Sequence, residues 1–465
     1  MIFRRIALIA VILPLALIRP ATAQEAPKQD LSLKMDLGQT VQRALDANPQ
    51  IVSAKHQIGG AVQGVRASVA AFGPVGTASY TSTAGHSRVS SNVLRPASAV
   101  TQDSNSVTPT SGTSGHLVDT TDYQATLDLN VHQPLFTGFR LLSTYQKSRL
   151  AKDQAEALYR QTELTLVNSV QTAFLTLLQA RANVKSNQDS VARLESQLKV
   201  TKAFYDAGLR PKLDVLQAQS DLSTATEGLL AAQNAVEIQL AQLGSLLDIP
   251  QDQRVEYLGE LAQIPFKISL QDALDEAYKD RPDISIAIKS VEMAQKDARV
   301  ALSPALPQVS ADYDYIREGD KWWLRAKNTP LYDRHQFMLS LSWRAWDWGN
   351  TYFSYRQADE NVKKLEADLA ALRLNVGADV KTQYLNIQDA AKRIVVAKTG
   401  LDASQEAYRT AIARYQAQVG TSTDVLVAQA QLTNAEFLST QALTDYQTAI
   451  ANLNFSIGRK NPALQ

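Results

Sequence analysis

The chain repeats itself, and an internal repeat narrows the possible folds further than any composition does. Tyr205-Asp206-Ala207 through Asp214-Val215-Leu216-Gln217-Ala218-Gln219 recurs as Tyr415 through Asp424-Val425-Leu426-Val427-Ala428-Gln429, each match 210 positions further on. Upstream, Val170, Thr172, Phe174 and Leu175 answer to Val380, Thr382, Tyr384 and Leu385 at the same offset. The preceding segments pair at an offset of 233, with Leu37, Pro49, Ile51, Ala54, Arg66 and Pro74 matching Leu270, Pro282, Ile284, Ala287, Arg299 and Pro307. Two copies of one structural unit follow, at 24–246 and 269–458, with a linker at 247–268 and a tail at 459–465.

Each unit reads as helix, two strands, a very long helix, a tight turn and a returning helix. Leu37 to Ala71 is an Ala-rich helical segment that Gly73-Pro74 stops, after which alternation begins. In the first unit the strands fall at about 75–85 and 123–133, with Ala125, Leu127, Leu129 and Val131 on one face and Gln124, Thr126, Asp128 and Asn130 on the other. In the second they fall at about 308–317 and 335–345, where Val309, Ala311, Tyr313 and Tyr315, then Phe337, Leu339, Leu341 and Trp343, alternate with polar residues. Their length and dyad pattern suit tilted barrel strands with lipid outside and water inside. Taken alone, they suit a half-buried soluble sheet as well.

The helices narrow the choice. Between Leu141 and Phe204 there is neither Pro nor Gly, so one helix of roughly 65 residues would run about 100 Å. Apolar residues recur every seven positions at Leu177, Val184, Val191 and Leu198, and on the return at Val215, Leu222, Leu229, Val236 and Leu243. Ala218, Ala225 and Ala232 lie between them, so hairpins at 141–246 and 350–457 read as closely packed coiled coils with narrow apolar seams. Gln, Asn, Ser, Thr and Lys cover the remaining surface, as the wall of a water-filled tube requires. The expected class is an α+β membrane protein with two strand pairs and two helical hairpins. Four strands cannot close a barrel, and an open edge is not viable in lipid, so several copies must combine. The Ser/Thr-rich connection at about 86–122 reads as an exposed loop.

Arg4, Arg5, the apolar run Ile6–Ile18 and Ala21-Thr22-Ala23 read as an export signal over 1–23, cleaved after Ala23. No cysteine is present, which excludes disulfides, thiolate metal sites and a lipid-modified cysteine. With 47 basic and 46 acidic residues there is no footprint for nucleic acid. The five histidines have no metal-ligand spacing. No phosphate loop, dinucleotide turn, zinc-protease helix or nucleophile elbow occurs, and Ser196-Gln-Leu-Lys199 lies inside a coiled-coil helix. No enzyme activity, metal or cofactor is expected. Trp322 and Trp323, with Trp343, Trp346 and Trp348, stand at both ends of a strand pair and suit interfacial girdles better than a core.

The order and duplication of these segments resemble the TolC-like outer membrane efflux family, from about Leu37 to Gly458. The strongest parts are the duplicated tyrosine, turn and Asp-Val-Leu-x-Ala-Gln segments. Pro134-Leu135-Phe136-Thr137-Gly138 and Trp346-Asp347-Trp348-Gly349 support it at the two strand-to-helix junctions. The resemblance implies a homotrimer in the outer membrane of a Gram-negative bacterium, with a twelve-stranded barrel and a helical cylinder in the periplasm. It places 247–268 in an equatorial band. It also implies a periplasmic adaptor and, through it, an inner-membrane pump, for efflux of small molecules such as drugs or for type I protein secretion. A soluble periplasmic coiled-coil adaptor or scaffold is the rival reading.

In similar proteins the hairpin tips close the channel and meet the adaptor. That assigns the contact to Gly208, Leu209, Arg210 and Pro211 and to Val419, Gly420, Thr421 and Ser422, and the gate to Tyr205, Asp214, Tyr415, Asp424 and Val427. The family's closing network joins an aspartate after the first turn to a tyrosine before the second, the positions of Asp214 and Tyr415. Helix capping is the alternative role for Asp214 and Asp424. The sequence departs from the family at Val427, where some members carry a second acidic residue, and near Gly420, where some carry an arginine. A double carboxylate ring is therefore not expected.

Overall fold

A computed structural model describes residues 33–92, 115–253, 255–319, 321–322, 324 and 332–460. The export-signal reading, Trp323 and the end of the tail lie outside the described residues. The elements run β1 (Leu33–Met35), α1 (Leu37–Ala47), α2 (Pro49–Ala70), β2 (Val75–Asn92), β3 (Gly115–Thr137), α3 (Arg140–Asp206), α4 (Lys212–Leu246) and β4 (Val255–Tyr257). After them come α5 (Leu270–Asp280), α6 (Pro282–Leu302), β5 (Gln308–Gly319), β6 (Tyr332–Ser342), α7 (Asn350–Gln416) and α8 (Ser422–Ser456).

Both ends of α7 and α8 stand 210 positions after the ends of α3 and α4. The turns obey the same offset. Left-handed backbone occurs at Gly138, Phe139, Gly208 and Asp248, and again at Trp348, Gly349, Gln418 and Gly458. The equivalence therefore extends to backbone geometry, and at Phe139, Asp248, Trp348 and Gln418 it holds without the glycine that this geometry favours. Gly138 alone is doubly required, because a Cβ there would sit 2.4 Å from the Ser303 carbonyl oxygen.

The helices form a wall one helix thick. α3 packs against α4 below and α2 above, α8 and α6 pack on its other side, and α7 lies beyond them. Short helices are joined end to end into long rows. Asn48 caps α2 and donates Nδ2 to the Leu246 carbonyl at 2.9 Å, so α2 continues α4. Arg281 occupies the equivalent place at α6 and donates to the Ser456 carbonyl at 3.0 Å, so α6 continues α8. These side chains satisfy carbonyls that a helix end leaves unpaired.

Asn48 and Pro49 also correct the expected single helix from Leu37 to Ala71, which is two helices. Asn48 is extended and accepts from the Gln50 amide, and Pro49 has no N–H to continue the first ladder. The linker is not featureless: β4 pairs in parallel with β1, tying the two ends of the first unit together. That layer clamps the long helices at mid-length. Met35, Val41 and Ile51 bury against Val167, Val170 and Phe174 of α3, while Ala273, Ala277 and Ile284 bury against Val376, Val380 and Ile387 of α7.

The four long strands form one antiparallel sheet in the order β2-β3-β5-β6. β2 and β3 extend well into the segment read as a loop, and β6 begins at Tyr332 and ends at Ser342, before Trp343. A loop-like composition of Ser, Thr and Gly was overridden here by ladder pairing, which runs unbroken from Val75 with His132 to Asn92 with Gly115.

Candidate functional site

The strand register sorts the sheet into two chemically distinct faces. Leu129 stands opposite Ala78 and Tyr315, and Val131 opposite Gly76 and Tyr313, while Ala311 faces Leu339 and Tyr313 faces Phe337. On the other face Asn130 donates to Asp314 at 2.6 Å, and His132 Nδ1 lies 2.6 Å from Asp312. The apolar face is uncovered: Phe337, Leu339 and Leu341 are each more than 60% exposed. Uncovered side chains of this size on a whole sheet face mark an apolar surrounding or a partner.

Aromatic residues crowd where strands become helices. Trp343 donates its indole N–H to the Ala305 carbonyl at 3.1 Å, and Trp346 and Trp348 meet edge to face, their rings 5.7 Å apart. Phe136 and Phe139 do the same at the other junction, at 5.2 Å. Trp322 lies at the opposite end of the sheet, where its carbonyl accepts from the Tyr80 hydroxyl. Phe136, Phe139, Tyr352 and Phe353 were not among the expected girdle residues, and they form two further edge-to-face ring pairs at the junctions. The signal was partial: Phe136 and Trp346 occupy equivalent places in the two repeats, while Phe139, Tyr352 and Phe353 fall opposite Gly349, Leu142 and Ser143.

At the far end of the wall the two helix turns meet. Arg210 donates to the Gly420 carbonyl at 2.7 Å, and its guanidinium lies 5.2 Å above the Tyr415 ring. Tyr415 is only 1% exposed, with its hydroxyl 3.2 Å from Thr201 Oγ1 and its ring beside Phe204. The expected Asp214–Tyr415 pair is thus not made within this chain, because Thr201 already holds the tyrosine. Tyr205, Asp424 and Val427 are exposed and Asp214 half-buried, so these candidates line a surface rather than converge. Of the tip residues, Gly208, Leu209, Pro211, Val419 and Thr421 are exposed and Arg210 is half-buried. Gly420 and Ser422 are buried in the single chain. Sequence spacing did not reveal the role of Arg210, because its partners lie in the other repeat.

The two aspartates differ although they are repeat equivalents. Asp424 forms a reciprocal cap with Thr421, accepting from the Thr421 amide at 3.0 Å while the Asp424 amide donates to Thr421 Oγ1 at 3.1 Å. The Thr421 hydrogen bonds hold the Asp424 carboxyl below its ordinary value of 3.8. At Asp214 the cap position is Pro211, which has neither hydroxyl nor N–H. Among the described residues no hydrogen bond holds the Asp214 carboxylate, so only the helix dipole stabilises it.

The model of the family described as outer membrane efflux protein matches residues 40–248 and 273–459. The chain belongs to that family. It is 25% identical to outer membrane protein TolC of Vibrio cholerae over 348 residues, 71% of this chain and 76% of that protein. To alkaline protease secretion protein AprF of Pseudomonas aeruginosa it is 23% identical over 352 residues, 74% of this chain and 72% of that protein. The fold is shared with the outer membrane protein VceC of Vibrio cholerae, at a TM-score of 0.70 and 18% identity, covering 91% and 96% of the two chains.

Proposed function

We propose that three copies of this outer membrane efflux chain close into a twelve-stranded barrel in the outer membrane, continued by a twelve-helix tube in the periplasm. The observation that carries this reading is the sheet itself. β2 and β6 pair on one side only, and one sheet face is apolar throughout its middle. Unpaired strand edges in hydrocarbon leave backbone groups without partners, and only closure removes them. The wall has matching open flanks, with Leu230 on α4 and Leu374, Val395 and Val396 on α7 exposed. In a closed ring the α4 flank of each copy meets the α7 flank of the next, so closure covers both. The tryptophans then sit at the two water–lipid boundaries.

On this reading 1–23 is removed on export, 24–246 and 269–458 are the two units, and 247–268 lies outside the tube with α1 and α5. The tube conducts substrates, small molecules or secreted proteins, from an inner-membrane pump through a periplasmic adaptor. It performs no catalysis and takes no cofactor. Gly208, Leu209, Pro211, Val419 and Thr421 are the exposed tip for the adaptor. Asp214, Tyr205, Asp424 and Val427 ring the entrance, with Tyr415 as the buried anchor behind them. Purified protein inserted in planar bilayers tests this. Discrete channels are expected, with Asp214→Ala and Tyr415→Phe raising conductance. Recovery of the protein in the soluble periplasm would refute the channel, and unchanged conductance in both variants would refute the gate.

A further inference from the structure

The wall holds a cavity of about 520 Å³ between α4 and α8, floored by α3. Its position follows from helix geometry. Arg181 reaches the Tyr257 carbonyl in the equatorial layer, and Ser190 on the cavity floor is nine residues later. Nine residues make about two and a half helical turns, so the two side chains leave α3 on opposite faces. On the tube reading above, the equatorial layer lies outside, and the cavity on the opposite face of α3 then opens to the lumen.

Its chemistry is one-sided. Leu194, Leu426 and Phe437 supply apolar wall. The Asp221 carboxylate lines it, and no lysine, arginine or histidine does. Gln429 is only 4% exposed and donates Nε2 to Ser190 and Thr433 at 3.1 Å, which leaves its Oε1 without a donor. Asn183 Oδ1, in another lining residue, also has no donor. The guanidinium of Arg193, which precedes the lining residue Leu194, is committed to Glu436. A cavity of this size accommodates a drug-sized ligand. The Asp221 carboxylate accepts from Gln217 Nε2 at 3.2 and 3.3 Å and keeps acceptor capacity for a donor that carries positive charge, while the two carbonyl oxygens without donors are sealed within the wall beside it.

We propose that this cavity is a lumenal binding site for amphipathic organic cations, with Asp221 pairing the charged nitrogen and Phe437 and Leu426 holding the apolar body. The proposal rests on the tube reading above, which it deepens by naming a class of cargo. Full-length protein in detergent is titrated with rhodamine 6G, a lipophilic dye cation, and with anionic fluorescein, and polarisation is read. Saturable rhodamine binding is expected, weakened about tenfold by Asp221→Asn and abolished by Ala430→Trp, which fills the cavity from an exposed position. Fluorescein is expected not to bind. Equal rhodamine affinity in wild type and both variants, or equal affinity for the two dyes, would overturn the site. The same preparation is tested for trimers and conductance. A conducting trimer that ignores rhodamine refutes this proposal alone, and a protein that forms no channel refutes the tube reading and this proposal together.

Discussion

α4 and α8 are the same helix by length, by offset and by the Asp-Val-Leu segment that opens each, yet they live in different surroundings. Along α8, buried residues recur from Ser422 to Ser456 and include the polar Gln429, Thr444, Gln447 and Asn454. On α4 only Ala218, Leu243 and Gly244 are buried. The cause is position. α8 is held between α3 and α7, whereas α4 ends the wall and touches only α3 extensively. A duplicated sequence thus makes one inner and one outer return helix, and polar residues on the inner one find partners across the seam: Gln429 Nε2 donates to Ser190, and Glu436 pairs with Arg193.

The sharpest way to break this contrast is to shorten repeat-equivalent leucines. Leu432→Ala, at a buried α8 position, should cost about 2–5 kcal/mol, seen as a clear fall in thermal midpoint by circular dichroism. Leu222→Ala, at the half-buried α4 equivalent, should cost markedly less. Equal losses would show that the inner and outer helices are not differently loaded. Next in size is the effect on assembly. Leu230→Glu or Leu374→Glu, each exposed in the single chain, should weaken trimers on the order of tenfold by burying a charge at the flank. Light scattering after chromatography reads this, and unaltered trimers would mean that these flanks stay free.

A smaller effect is expected where the two repeats are tied at the tip. Arg210→Ala removes the bond to Gly420 and the stacking on Tyr415, a loss of about 1–2 kcal/mol. Channel open probability should rise, with Arg210→Lys intermediate. The smallest effect concerns the two unequal aspartates. Because the folded Asp424 carboxyl sits below 3.8, its cap stabilises α8 above that value and is lost as pH falls through the lower, folded one. Hydrogen exchange at the second turn, corrected for intrinsic rate, should therefore accelerate in acid. Asp424→Asn should remove that dependence, and a first turn that responds to acid equally would deny the difference between the aspartates.

Much of this was legible from residues alone. Long helices without Pro or Gly, seven-residue spacing and an alternating β3 announce themselves locally, since each follows from the period of one element. The β1–β4 pairing was not legible, because three-residue strands more than 200 positions apart carry no periodic signal. The same holds for Thr201 as the partner of Tyr415 and for Arg210 as the bridge to Gly420. Each pairs residues over 200 positions apart, in opposite repeats. Phe139 and Gln418 adopt the left-handed backbone that glycine takes at their repeat equivalents, Gly349 and Gly208, which no local residue preference announces.

The repeat, the length of the helices and the two-faced strands were thus determined by the sequence itself, since periodicity and breaker residues act within a few turns of chain. Which aspartate caps and which stays free, which return helix is enclosed, and where acceptors are left without donors were decided only by tertiary packing. Those outcomes depend on neighbours brought together across the wall, and identical segments acquire different roles once one is enclosed and the other stands at an edge.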